Sequence, residues 1–195
     1  MRHRFPIIVA ALALLLCTTI AFAQAPTAPP KPGPEVKKMA ALIGTWATTV
    51  EMKPVPGMSP GGKATSTRSC VWAVGGFGVS CKETSDMGPM GKITSVSIMA
   101  YDSEEKNYVY SEVSSDGETI VSRGVVNGDT WVFDADSPMQ GKMMHGRFTV
   151  KYTSKDACEI KFELGPDANS MQLVMEGKEV RVKPPAPAAS KPPTK

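Results

Sequence analysis

The chain has 195 residues, with 22 Lys+Arg against 19 Asp+Glu and a formal charge of +3. That length favours one domain. Aromatics at 7% and charged residues at 21% exclude a coiled coil and a strongly charged disordered chain, and the small charge, with no Lys/Arg run, excludes a nucleic-acid partner bound along its phosphates.

Residues 1–23 read as a signal peptide. Arg2, His3 and Arg4 supply a positive start, an apolar run leads to Ile20, and Ala21-Phe22-Ala23 is a small-residue cleavage site. The run is interrupted by Pro6 and Thr18-Thr19 and is shorter than the ~20 residues that span a bilayer. Cleavage predicts a periplasmic or secreted protein with no membrane span, beginning at Gln24. Residues 24–34 hold five prolines and read as an extended linker, and 183–195 hold five more and read as a solvated tail.

Between them, residues 35–182 form the folded core. Pro34 and Glu35 suit a helix start, Gly44 suits its end, and Val36, Met39, Ala40, Leu42 and Ile43 make one short apolar stripe. After Gly44 the period changes to two. Strands are expected at 45–53, 63–74, 77–86, 92–102, 107–114, 118–126, 130–135, 142–153, 157–165 and 170–182. Cys158, Ile160, Phe162 and Leu164 alternate with Glu159, Lys161 and Glu163, the pattern of a wall with one buried face. The predicted fold is therefore all-β, an antiparallel closed barrel of about ten strands with a short N-terminal helix. No later segment supports a long helix, so βαβ folds are excluded.

Gly75-Gly76 read as a two-residue hairpin turn places Val74 opposite Phe77, Trp72 opposite Val79 and Cys70 opposite Cys81. Directly opposed residues have Cβ atoms about 4.5–5.5 Å apart. In an oxidising compartment this predicts a Cys70–Cys81 disulfide. Cys158 is left over as a buried, unreactive thiol.

The chemistry of most enzyme classes is missing. His145 is the one histidine after cleavage, with no Gly-x-Ser-x-Gly elbow beside it. No Walker loop or dinucleotide-binding glycine pattern occurs. No catalytic residue and no cofactor is predicted, and the oligomeric state carries no sequence signal. Methionines are frequent near loops: Met52, Met58, Met87 and Met90, then Met139, Met143, Met144 and His145. Thioethers are soft ligands suited to copper(I), so a second reading is metal binding through Met139, Met143, Met144 and His145. It requires the 87–90 and 139–145 loops to share one rim.

Gly44-Thr45-Trp46 after the helix, Gly75-Gly76-Phe77, Tyr101-Asp102, Ser137-Pro138-Met139-Gln140-Gly141-Lys142 with Arg147, and Met175-Glu176 before Arg181 together resemble the bacterial domain of unknown function 1579 family. The resemblance implies a lipocalin-like, or calycin, barrel and no assigned activity. The Gly-x-Trp opening is also similar to lipocalins, which implies that Arg181 lies over Trp46 and that both are structural. Nitrobindin-like barrels hold haem through a histidine on a C-terminal strand, and this chain has none after His145.

The leading reading is a small apolar ligand held inside the barrel. By parity the pocket wall would include Trp72, Val79, Met99, Tyr108, Tyr110, Trp131, Phe133, Phe148, Phe162 and Met175. Parity leaves the direction of Glu51, Glu112, Arg123 and Arg147 open. A third reading is an envelope scaffold that binds a protein partner through its outer face or tails.

Overall fold

The structure, a computed structural model, describes residues 30–57, 59–139 and 141–183. The predicted signal peptide, residues 24–29 of the linker and the tail beyond Lys183 lie outside these residues. The barrel unit begins at Pro32.

Helix α1 (Pro34–Lys38) runs into a 3-10 turn at Met39–Leu42. So short a helix is not stable alone in water. Its apolar stripe fixes it instead: Val36, Met39 and Leu42 are all buried on one face. Gly44 then opens the first strand with φ 120°, a left-handed value that favours glycine. A Cβ there would also meet Arg181 Nη1 at 2.6 Å.

Ten strands follow: β1 (Gly44–Met52), β2 (Gly62–Ala73), β3 (Gly78–Asp86), β4 (Lys92–Asp102), β5 (Asn107–Ser114), β6 (Thr119–Asn127), β7 (Thr130–Met139), β8 (Lys142–Ser154), β9 (Ala157–Gly165) and β10 (Gln172–Val182). Each pairs antiparallel with its sequence neighbours, and β1 closes on β10. Closure leaves no free sheet edge.

Two local readings are corrected. The predicted Cys70–Cys81 and Trp72–Val79 pairs stand in the ladder, and the disulfide joins Cys70 to Cys81. The ladder stops at Ala73–Gly78, however, so Val74 and Phe77 belong to a four-residue turn. Val74 has φ 51°, an outlying conformation for a β-branched residue. The second correction is β7, expected to end at residue 135 but continuing through Pro138 to Met139. β6 and β7 pair only between Arg123–Asp134 and Asn127–Thr130. Beyond Asp134, β7 is bonded to β8 alone, and proline, with no N–H to give, is tolerated in such a half-paired stretch.

Candidate ligand site in the barrel lumen

The helix end of the barrel is plugged. Val36, Met39 and Leu42 pack on Val79, Met99, Tyr108, Trp131, Phe133 and the Cys70–Cys81 bridge. The Tyr108 hydroxyl donates to the Glu35 carbonyl at 2.9 Å, which ties helix to wall. Aromatic rings chain across the plug, with Tyr101–Tyr108 and Tyr108–Trp131 centroids each 5.1 Å apart. Trp46 is fully buried and donates Nε1–H to the Leu42 carbonyl at 2.9 Å. The Arg181 guanidinium sits 4.2 Å over the Trp46 ring, bonds the Ile43 carbonyl through Nη1 and donates Nε to Asp156 Oδ1 at 3.0 Å. It thereby fastens the last strand to the first and to the plug. A cation–π contact of this kind contributes about 0.5–2 kcal/mol.

This plug divides the predicted pocket wall. Val79, Met99, Tyr108 and Trp131 are buried core against the helix, so they line no ligand space. Trp72 faces the same side of its strand as Cys70, but it stands at the hairpin tip and is 41% exposed. Above the plug, Tyr110, Phe148, Phe162 and Met175 point inward and keep partial accessibility. Phe133 lies between the two zones. Gly124 faces it across β6–β7; a Cβ at Gly124 would fall 2.4 Å from Phe133 Cδ1, so the missing side chain makes room for the ring.

The upper lumen has two unlike walls. Strands β7–β9 present Phe133, Phe148 and Phe162 in one register row. The opposite wall is polar. Arg68 donates Nε and Nη2 to Glu179 Oε1 at 3.1 and 2.7 Å, and Nη2 also reaches Oε2 at 2.7 Å. Thr48 Oγ1 and Cys158 Sγ, each at 3.4 Å, complete the Glu179 carboxylate. Beside Arg68 in the ladder stands Glu83, then Ser95; one row away, Cys81, Ser97 and Glu112 align. The Tyr110 hydroxyl donates to Glu112 Oε2. The Tyr152 hydroxyl is buried and has no hydrogen-bond partner among the described residues.

The electrostatics follow from this crowding. Burial works against the charge of Arg68, but Glu179 and Glu83 outweigh it and raise its pKa. Burial raises the pKa of Glu112; the Tyr110 hydrogen bond opposes this and nearby Glu83 adds to it. Burial and then Glu179 push the Cys158 thiol up to about 12, so it is a poor nucleophile at neutral pH.

A family model for proteins of unknown function, DUF1579, matches residues 31–181. The chain belongs to the DUF1579 family. No curated relative matches it. Among solved structures, Rv2717c from M. tuberculosis is 12% identical with a TM-score of 0.52, covering 78% of this chain and 100% of that one. The S-type phycobiliprotein lyase CPES from Guillardia theta is 11% identical with a TM-score of 0.53, covering 76% and 93%. At these identities the likeness is one of fold, a closed lipocalin-like antiparallel barrel.

In this DUF1579 barrel the polar wall is what the sequence reading overlooked. Arg68 stands two residues before Cys70 and Glu83 two after Cys81, so the alternation that paired the cysteines also turned both charges inward. Glu112 faces inward as well. Arg123 is on the outer face, donating to Asn107 Oδ1 at 3.2 Å, and Arg147 is outside with Asp134 at 2.7 Å. Glu51 also faces out.

The methionine set is split. The 87–90 and 139–142 turns do share the rim away from the helix, but the β5–β6 hairpin separates them on one side. Within β8 alternate residues take opposite faces: Met144 shares the inner face of Phe148, while Met143 and His145 fall on the outer one. Met143 is 62% exposed, and His145 Nδ1 lies 2.7 Å from Asp136 Oδ1. Met139, Met143, Met144 and His145 therefore do not converge. Two concavities lie elsewhere, about 480 Å³ within the 54–60 loop and about 320 Å³ on the Thr/Ser-rich β1–β4 wall. None of the ten predicted pocket residues lines either.

Proposed function

We propose that the barrel binds a small amphipathic molecule in its upper lumen, outside the cytoplasm. The observation that carries this is the partial accessibility of inward-facing Tyr110, Glu112, Phe148, Phe162 and Met175. Residual accessibility at inward positions above the plug supports a lumen that admits solvent there. The apolar body would lie on Phe148 and Phe162. The head would meet the polar wall, where Arg68 is ion-paired with Glu179 while, among the described residues, Glu83 and Glu112 form no ion pair of their own. A head bearing N–H donors or a positive charge complements that wall better than a carboxylate does. This revises the purely apolar ligand expected from parity. The barrel-like solved structures, one of them a phycobiliprotein lyase, support a lumen of this kind. The disulfide fits an oxidising compartment, as the expected signal peptide does, and among the described residues no helix is long and apolar enough to cross a membrane.

The test is titration with dansyl-labelled dodecylamine and its dodecanoic acid counterpart, read by dansyl emission. The amine should bind at micromolar concentration, tighter than the acid. Glu83→Gln with Glu112→Gln should weaken it about tenfold. Phe148→Ala should weaken both probes. Failure of both probes to bind, with no organic mass retained in native mass spectrometry of periplasmic protein, refutes the lumen reading.

A further inference from the structure

We propose that the rim of the barrel away from the helix holds one soft monovalent cation, copper(I), between the thioethers of Met52, Met87 and Met175. The argument is independent of the organic ligand proposed above. Met52 and Met175 are direct partners across β1–β10. Both share the inner face with the neighbouring Val50–Gly177 pair. Opposed residues on one face have Cβ atoms about 4.5–5.5 Å apart, and methionine's three side-chain torsions let two such sulfurs reach a common point. Met87 follows the end of β3, and it packs with Met175 on the cluster of Val50, Met52, Ala64, Cys158 and Ile160. At the neighbouring pair β1 and β10 approach closely, with Val50 packed directly on Gly177. Gly177 has no room for even a Cβ, which would fall 2.2 Å from the Thr49 carbonyl oxygen.

The donor chemistry selects the ion. The cluster around them, Val50, Ala64, Cys158 and Ile160 with Phe148, Val150 and Tyr152 packed on it, supplies no carboxylate and no imidazole. Among the described residues, no group of three or more His, Cys, Asp or Glu side chains could hold a metal ion. Hard divalent cations need oxygen ligands, and zinc needs thiolate or imidazole. Neutral thioethers suit a polarisable monovalent ion and bring no charge of their own to a buried place. Met139 and Met144, also inward at this rim, stand on β7 and β8, across the opening.

The test uses the full chain with carbon-13-labelled methionine methyls and silver(I) as the redox-inert probe. The methyl signals of Met52, Met87 and Met175 should shift together and saturate at one equivalent, while Met39 and Met99 stay still. Met87→Leu with Met175→Leu keeps the volume; it should lower silver affinity at least 100-fold and leave the circular dichroism spectrum unchanged. Shifts confined to exposed Met90 and Met143 would overturn the site. So would silver captured by Cys158 with no methyl shift, or one-equivalent binding that survives the double variant. Amine-probe binding by the unaltered chain shows separately whether the lumen reading stands.

Discussion

Replacing Arg68 by Met is the most demanding test of the polar wall. Arg68 and Glu179 side chains are 17% and 6% exposed. The substitution keeps much of the side-chain bulk and removes the charge. Glu179 is then left at 4% residue exposure, with only the Thr48 hydroxyl and the Cys158 thiol, both at 3.4 Å. Removing one partner of a buried pair costs about 3–5 kcal/mol, because the remaining charge stays desolvated. For a domain of this size that lowers Tm by roughly 10–15 °C and the urea midpoint by about 2 M. Glu179→Leu alone should cost a similar amount by stranding the guanidinium. Arg68→Met with Glu179→Leu should recover most of the loss, since an apolar pair of similar volume is often neutral or better. The assay is urea unfolding followed by tryptophan emission without reductant, so that the Cys70–Cys81 bridge persists. The reasoning is refuted if each single variant loses less than about 1 kcal/mol, or if the double variant loses the sum of the two.

Three further outcomes are expected. Glu112 has a folded pKa raised chiefly by burial, so the stability it contributes is present below its unfolded pKa of about 4.3 and is lost as pH rises through the folded value. Glu112→Gln should therefore be more stable than the parent at pH 7–8, with the gap closing below about pH 4; a Tm difference that does not change with pH contradicts the burial. Cys158, with its thiol pKa near about 12, should resist iodoacetamide at pH 8 for hours and label once in urea without reductant; prompt native labelling would place it at an accessible site. Gly124→Ala should cost about 1–3 kcal/mol of unfolding free energy through overpacking, because its Cβ would meet Phe133 Cδ1 at 2.4 Å and the Val132 carbonyl at 2.6 Å. A loss under about 0.5 kcal/mol would mean that the ring moves aside freely.

Local pattern alone carried the architecture. The period-two runs and their Gly, Asn and Asp turns specified ten strands because side-chain direction alternates with no reference to distant residues. Short connections left few ways to pair them, and the same alternation placed Cys70 against Cys81. Tertiary structure decided what lies inside. Trp131 and Phe162 look alike in sequence, yet Trp131 is locked against the helix plug while Phe162 stays partly accessible; which end the helix fills is a packing outcome. Parity could turn Arg68 and Glu83 inward, but only the closing β1–β10 seam brings Glu179 onto Arg68 and Met175 beside Met52. Those partners are more than 100 residues apart along the chain, and no local pattern encodes a contact between the first strands and the last.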